Sequence, residues 1–204
     1  MDVQWFLSNA GDADDVVSYI TKNILEELQI LYPEQIGDGN LTLPDALSRI
    51  KASTGQKFIV IIDEWDVLIR DESANKKVQE DYINFLRGMF KGTDPTKYIQ
   101  LAYLTGILPI KREKTESALN NFDEYTMLDS QELAPYIGFT ENEVKELCKK
   151  YNRDFEQVKR WYDGYLLEEE QVYNPKAVVS LMMKGKYKSY WSDTGSYKVI
   201  VPLI

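Results

Sequence analysis

Apolar residues recur at different periods along the chain, and each period predicts an element. Residues 3–7 (VQWFL) read as a short strand closed by Ser8-Asn9-Ala10-Gly11. Val16, Ile20, Ile24, Leu28 and Leu31 then recur at helical spacing, with Asp12 or Asp14 as the cap and Pro33 as the stop. Residues 37–40 (GDGN) form a loop. Thr42 opens a second helix with Pro44 in its first turn. Leu43, Ala46, Leu47 and Ile50 lie on one face, and Gly55 takes the place just past the end. Phe58–Ile62 (FIVII) is continuously apolar, which predicts a central parallel strand buried on both faces.

A long helix is predicted over 75–91, with Val78, Tyr82, Phe85, Leu86, Met89 and Phe90 inward. Residues 98–105 (YIQLAYLT) read as a second buried strand, ended by Gly106. A short helix near 115–121 and a short strand over 124–128 follow. Strands alternating with helices predict an α/β fold with a mainly parallel sheet and helical crossovers.

After Asp129 the elements become short. Thr140-Glu-Asn-Glu143 is a capping box before Val144 and Leu147. Asp154-Phe-Glu-Gln157 opens another helix through Val158 and Trp161, ended by Gly164. Residues 165–167 and 171–173 predict a small hairpin, and Asn174-Pro175 a helix through Met183. The expected division is therefore 1–129 and 130–204. Both ends read as cut. The chain opens almost on a strand, and the helical stripe Tyr197, Ile200, Val201, Ile204 stops without a cap, so a longer protein is expected.

Composition narrows the chemistry. At 204 residues, the chain is one domain, or a domain with a small appendage. Against 24 basic residues stand 33 acidic ones, a net charge of −9, which disfavours whole-molecule attraction to nucleic acid or an anionic membrane. The sequence contains no histidine, which removes Ser-His-Asp and Cys-His catalysis and every His-ligated metal site. A single cysteine, Cys148, excludes an internal disulfide framework. Phe58–Ile62 is the longest apolar run, far short of the ~20 residues that span a bilayer, and the first residues do not read as a signal peptide. A cytoplasmic location is expected.

The strongest candidate for chemistry is FIVIIDEWD, residues 58–66. Carboxylates directly after a parallel strand stand at the sheet edge where α/β proteins bind ligands. An apolar run ending in Asp-Glu is the Walker B pattern. Asp63 would hold Mg²⁺ through water, and Glu64 would orient and deprotonate the attacking water. The plainer alternative is that these acids only cap the next helix. No G-x-x-x-x-G-K-[ST] occurs anywhere in the sequence; at Gly185-Lys186 the first glycine position is Ser180 and the last position is Tyr187. Thr105 before Gly106 is a candidate sensor of the γ-phosphate or the water. Lys111 and Arg112, with Lys114, are candidates for phosphate contact, or ordinary solvated bases.

Two aromatic stretches remain. Residues 161–165 (WYDGY) read either as a recognition surface or as core. Tyr187, Tyr190, Trp191 and Tyr197 interleave with Lys184, Lys186, Lys188 and Lys198, so residues 176–198 either bind single-stranded nucleic acid or pack as a helix end. Glu143-Val-Lys145 has the letters of a PD-(D/E)xK nuclease, but lies inside a capped helix and is set aside.

In order, the chain carries FIVIIDEWD, YLTGILPIKR, SALNNFDEY, GFTENEV, WYDGY, VYNP and YWSDTG. This set resembles the AAA-like ATPases, often called predicted AAA-ATPases, of anaerobic and gut bacteria, which are frequently fused to a PD-(D/E)xK nuclease-like domain. The resemblance implies a P-loop NTPase-like core followed by a helical, winged-helix-like lid. It implies ATP and Mg²⁺, with Asp63 and Glu64 as the Walker B pair and Thr105 at the sensor-like strand end. Full-length members carry Walker A upstream of a segment like VQWFLSNAGD, so this chain alone is expected to hydrolyse ATP negligibly. The expected partners are the nucleotide and, through 176–198, a nucleic acid or a protein, with self-assembly left open and no membrane. The other reading is a binding module that uses the lid with the ATPase half as a non-catalytic scaffold.

Overall fold

A computed structural model describes residues 1–11, 15–37, 41–71, 74–108 and 119–190. Expectations for Asp12, Asp14, Lys111, Arg112, the residues from Trp191 onward and most of the helix near 115–121 fall outside them. The chain divides into two compact units, Met1–Glu124 and Tyr125–Ile204. The architecture is mixed, with a two-stranded parallel sheet in the first unit and a three-stranded antiparallel sheet in the second.

In the first unit the expected strand over residues 3–7 is instead helix α1, Val3–Asn9. Five apolar-rich residues suit either conformation, and the neighbours decide between them. Asp2 is extended and its carboxylate accepts the Trp5 N–H at 3.0 Å, which starts the helix. Only Met1, Asp2 and the first N–H of α1 pair with the sheet, through the Asp63 N–H to Met1 O at 2.8 Å and the Val3 N–H to Asp63 O at 3.1 Å. Helix α2 (Val16–Leu31) buries Val16, Ile20 and Leu28, whereas Leu31, expected on the same stripe, is exposed. Pro33 opens a short turn of helix, α3 (Pro33–Ile36).

Helix α4 (Leu43–Thr54) follows its sequence signals closely. Thr42 accepts the Asp45 N–H, Gly55 closes the helix at φ 75°, and Leu43, Ala46, Leu47 and Ile50 are buried. After it come β1 (Phe58–Ile62), α5 (Val67–Arg70), α6 (Lys76–Phe90, capped by Asn75), α7 (Pro95–Tyr98) and β2 (Ile99–Leu104). Strands β1 and β2 are parallel, with Ile59 beside Leu101 and Ile61 beside Tyr103.

The expected burial of these strands on both faces is corrected. Ile62 is buried, and Phe58, Val60, Ala102 and Leu104 pack on the helical core, but Ile59 and Ile61 are 62 % and 57 % exposed. Leu101 and Tyr103 beside them are also exposed, so one face of the pair carries a row of apolar side chains. No element among the described residues of this unit covers that row. The strand expected over 124–128 is likewise absent; a tight turn bridging Thr126 and Asp129 takes its place.

The second unit begins with a 3-10 turn over Gln131–Tyr136. Then follow β3 (Phe139–Thr140), α8 (Glu141–Tyr151), α9 (Phe155–Tyr162), β4 (Tyr165–Leu167), β5 (Glu170–Tyr173) and α10 (Pro175–Lys184). The capping box forms reciprocally between Thr140 and Glu143, and Asp154 and Asn174 cap α9 and α10 as their positions predict. The sheet order is β3-β5-β4, with the predicted hairpin as its two-strand part. Val144, Val158, Tyr173, Val178 and Leu181 are buried at the centre of this unit. No helix among the described residues is long and apolar enough to cross a membrane.

Candidate functional site

Strand β1 delivers Asp63 to the C-terminal edge of the parallel sheet, and a backbone kink separates its neighbour from the strand. Glu64 adopts φ 54°, in the left-handed region that costs a non-glycine residue of order 1–3 kcal/mol. The Glu64 N–H donates to Asp63 Oδ1 at 3.1 Å, and the chain then turns through Asp66 into α5. Pairing with β2 continues across the kink: the Thr105 N–H donates to Ile62 O, and the Trp65 N–H to Thr105 O, each at 2.9 Å.

This pairing places Thr105 opposite Asp63. The Thr105 hydroxyl donates to Asp63 Oδ1, joining the ends of both strands through their side chains. Asp63, Glu64 and Thr105, three of the residues expected at the site, thus meet at one edge of the sheet. Lys111 and Arg112 lie outside the described residues. Asp63 is exposed, whereas Glu64 and Thr105 are half-buried.

Two further residues belong to this edge that the sequence reading did not single out. Asp66 is completely buried, and its Oδ2 accepts three donors: Arg70 Nε at 2.9 Å, the Ile107 N–H at 3.0 Å and the Leu108 N–H at 2.7 Å. Arg70 also reaches Glu64 Oε2 through Nη2 at 2.5 Å. The available signal was an acid embedded between Trp65 and Val67, four residues before an arginine. Gly106 fits here for lack of a side chain, because a Cβ would fall 2.6 Å from both Asp66 Oδ1 and Trp65 Cδ1. Behind Asp66, Tyr82 is fully buried. Burial, reinforced by the Asp66 carboxylate, pushes the Tyr82 phenol above its usual range.

The donor set fits a hydrated magnesium ion. Asp63 has one carboxylate oxygen engaged by Thr105 and Glu64, and its Oδ2 has no hydrogen-bond partner among the described residues. Mg²⁺ typically keeps several waters and uses one or two carboxylates together with substrate phosphates. Among the described residues no three acidic or cysteine side chains converge to enclose a metal by themselves.

Residues 5–115, more than half of the chain, match the family described as predicted AAA-ATPase. The chain belongs to the predicted AAA-ATPase family. The match covers Asp63, Glu64, Asp66, Arg70 and Thr105, together with Lys111 and Arg112. The chain is also 27 % identical over 163 residues to an uncharacterised protein from the vnfD 5′ region of Azotobacter chroococcum mcd 1. That alignment spans 78 % of this chain and 31 % of the relative, so the chain corresponds to about a third of that protein's length. No solved structure matches the chain.

Among the described residues of the aromatic stretches, Tyr162, Tyr187 and Tyr190 pack, whereas Trp161 and Tyr165 are exposed. Tyr162 stacks on Tyr187, with ring centroids 6.3 Å apart, and its hydroxyl donates to Lys188 O and accepts the Lys188 N–H. Tyr190 is buried, with Lys184 and Lys188 over its ring. Trp161 remains 51 % exposed beside Tyr187. Gly164 of the WYDGY stretch lies against β5, where a Cβ would fall 2.2 Å from Val172 O.

Proposed function

We propose that this chain forms the Walker B part of an ATP-hydrolysing site. The observation that carries the reading is the junction of Asp63, Glu64 and Thr105 at the C-terminal edge of parallel strands, where nucleotide-binding α/β folds place their ligands. Asp63 would hold Mg²⁺ through water, and the metal would supply charge neutralisation for the phosphates. Glu64 would orient the attacking water and take its proton at Oε1, the oxygen that Arg70 does not use. Thr105, fixed on Asp63, would report the presence of the terminal phosphate. Lys111 and Arg112 remain proposed phosphate contacts.

The family membership supports a P-loop NTPase-like core for residues 1–129. For residues 130–204, the order of a helical turn, a strand, two helices and a hairpin supports a winged-helix-like lid. Phosphoryl transfer depends on positioning and electrostatics, and a sequence without G-x-x-x-x-G-K-[ST] lacks the usual backbone cradle and lysine. The chain by itself is therefore proposed to turn ATP over negligibly and to act within a longer protein.

Calorimetric titration with Mg²⁺ and a non-hydrolysable ATP analogue tests the reading. Binding that weakens in Asp63→Ala supports it. Binding indifferent to Asp63→Ala puts the nucleotide elsewhere and removes the reading.

A second reading uses the lid to engage nucleic acid. Exposed Trp161 beside Tyr187, whose chain neighbours Lys186 and Lys188 are exposed, favours it, with stacking assigned to Trp161 because Tyr187 and Tyr190 pack inward. Its test is the salt dependence of single-stranded DNA binding, which falls steeply where lysines displace counterions from phosphates.

A further inference from the structure

We infer that Arg70 is a positioning residue for Glu64, and that Asp66 anchors both Arg70 and the chain leaving β2. The inference rests on the ATPase reading for its purpose, but its geometry stands by itself. Glu64 leaves β1 in a conformation that an acidic side chain rarely adopts, at φ 54°. The backbone turn is held by the Glu64 N–H to Asp63 Oδ1 and the Val67 N–H to Glu64 O, and the side chain beyond it by the ion pair from Arg70 Nη2 to Glu64 Oε2 at 2.5 Å. Arg70 lies one short helix further along the chain and is itself fixed at Nε by Asp66.

The rigidity of the arrangement comes from Asp66. A buried carboxylate is stable only when its charge is compensated. Here Oδ2 alone collects a guanidinium N–H and two backbone N–H groups from residues 107 and 108. Moving Arg70 would strip a buried charge of its counter-ion, so the guanidinium has one place to be. The planar fork of arginine suits this use, because it offers Nε to one carboxylate and Nη2 to another in fixed relation. A lysine would have to choose between them. Glu64, 41 % exposed, is thereby held by one oxygen while Oε1 has no hydrogen-bond partner among the described residues, the disposition needed by a group that must align a water. The same Asp66 oxygen grips the strand end that bears Thr105, so the two sides of the site move together.

The test follows the Glu64 side-chain carboxyl carbon and the Arg70 Nε–H by NMR in the 204-residue chain. In the wild type, Arg70 Nε–H should exchange with water more slowly than that of exposed Arg49. The Glu64 carboxyl signal should shift in Arg70→Gln and in Asp66→Asn, and only part of the way in Arg70→Lys. A Glu64 signal unmoved by Arg70→Gln overturns the inference, as does Asp66→Asn leaving both signals in place. Should Asp66→Asn or Arg70→Gln unfold the protein, Arg70→Lys, which keeps a positive charge beside buried Asp66, decides alone, and a Glu64 signal it leaves unmoved overturns the inference. Nucleotide binding indifferent to Asp63→Ala removes the ATPase reading without touching these signals, so the two outcomes are separable.

Discussion

The Thr105 hydroxyl donates to Asp63 Oδ1 across the parallel pair β1 and β2. The two residues are 42 positions apart in sequence, and strand pairing alone brings them into contact. A carboxylate whose one oxygen is occupied in this way presents the other in a fixed direction.

Replacing Thr105 by valine keeps the β-branched shape and removes the donor. The expected cost in stability is about 1 kcal/mol. The expected functional effect is larger, a weakening of Mg²⁺-nucleotide binding that Thr105→Ser restores. Urea unfolding and calorimetry on the two variants check this. Equal binding by the valine variant would separate Thr105 from the site.

Gly106→Ala should disturb the site from behind. The added methyl would overlap Asp66 Oδ1 and Trp65, both buried and unable to withdraw without repacking. A loss of ~1–3 kcal/mol is expected. The N–H groups of Ile107 and Leu108, now held by Asp66, should exchange faster with solvent. Unchanged protection at these two amides would contradict the packing argument.

Gly164→Ala tests the second unit in the same way. Val172 O lies 2.2 Å from where the methyl would sit, and a backbone atom in the middle strand of a sheet has little freedom to yield. Unfolding midpoints for the second unit should fall, with the hairpin Tyr165–Tyr173 losing protection first. Gly138→Ala, also against β5, should behave alike.

The ion-pair cluster at the start of α8 predicts a pH dependence. Hydrogen bonds from Lys145 at 2.5 Å and Lys159 at 3.0 Å hold the Glu141 carboxyl below the usual carboxylate range. A depressed folded-state value means stability that is present above the unfolded value of about 4.3 and is lost as pH falls through the folded one. Wild type should therefore exceed Glu141→Gln in stability at about pH 7, and the gap should narrow at about pH 3. A gap of the same size at both pH values would show that the cluster contributes nothing through charge.

Much of the fold was legible because its signals are local. Caps at Thr42, Thr140, Asp154 and Asn174 act within three residues, and each of the four operates as its position predicts. The periodic stripe of α4 is buried in full. The Asp63-Glu64 pair and Thr105 were readable from strand ends, although the contact between them was not.

The sequence by itself determined helices α2, α4, α6, α8, α9 and α10, the hairpin and the acidic end of β1, since hydrogen bonds and periodicity within a few residues suffice for these. Tertiary structure alone decided the rest. Residues 3–9 became a helix because Asp2 serves as both strand end and cap, and the pairing partner lies at Asp63. The apolar row of Ile59, Ile61, Leu101 and Tyr103 stayed open because the described helices of that unit cover only the opposite face, which residue type cannot foretell. Arg70 joined the site because Asp66 is buried, and burial is a property of the assembled chain. An ion pair that looks like any i,i+4 surface contact in the sequence becomes a fixed element only when one partner is taken out of water.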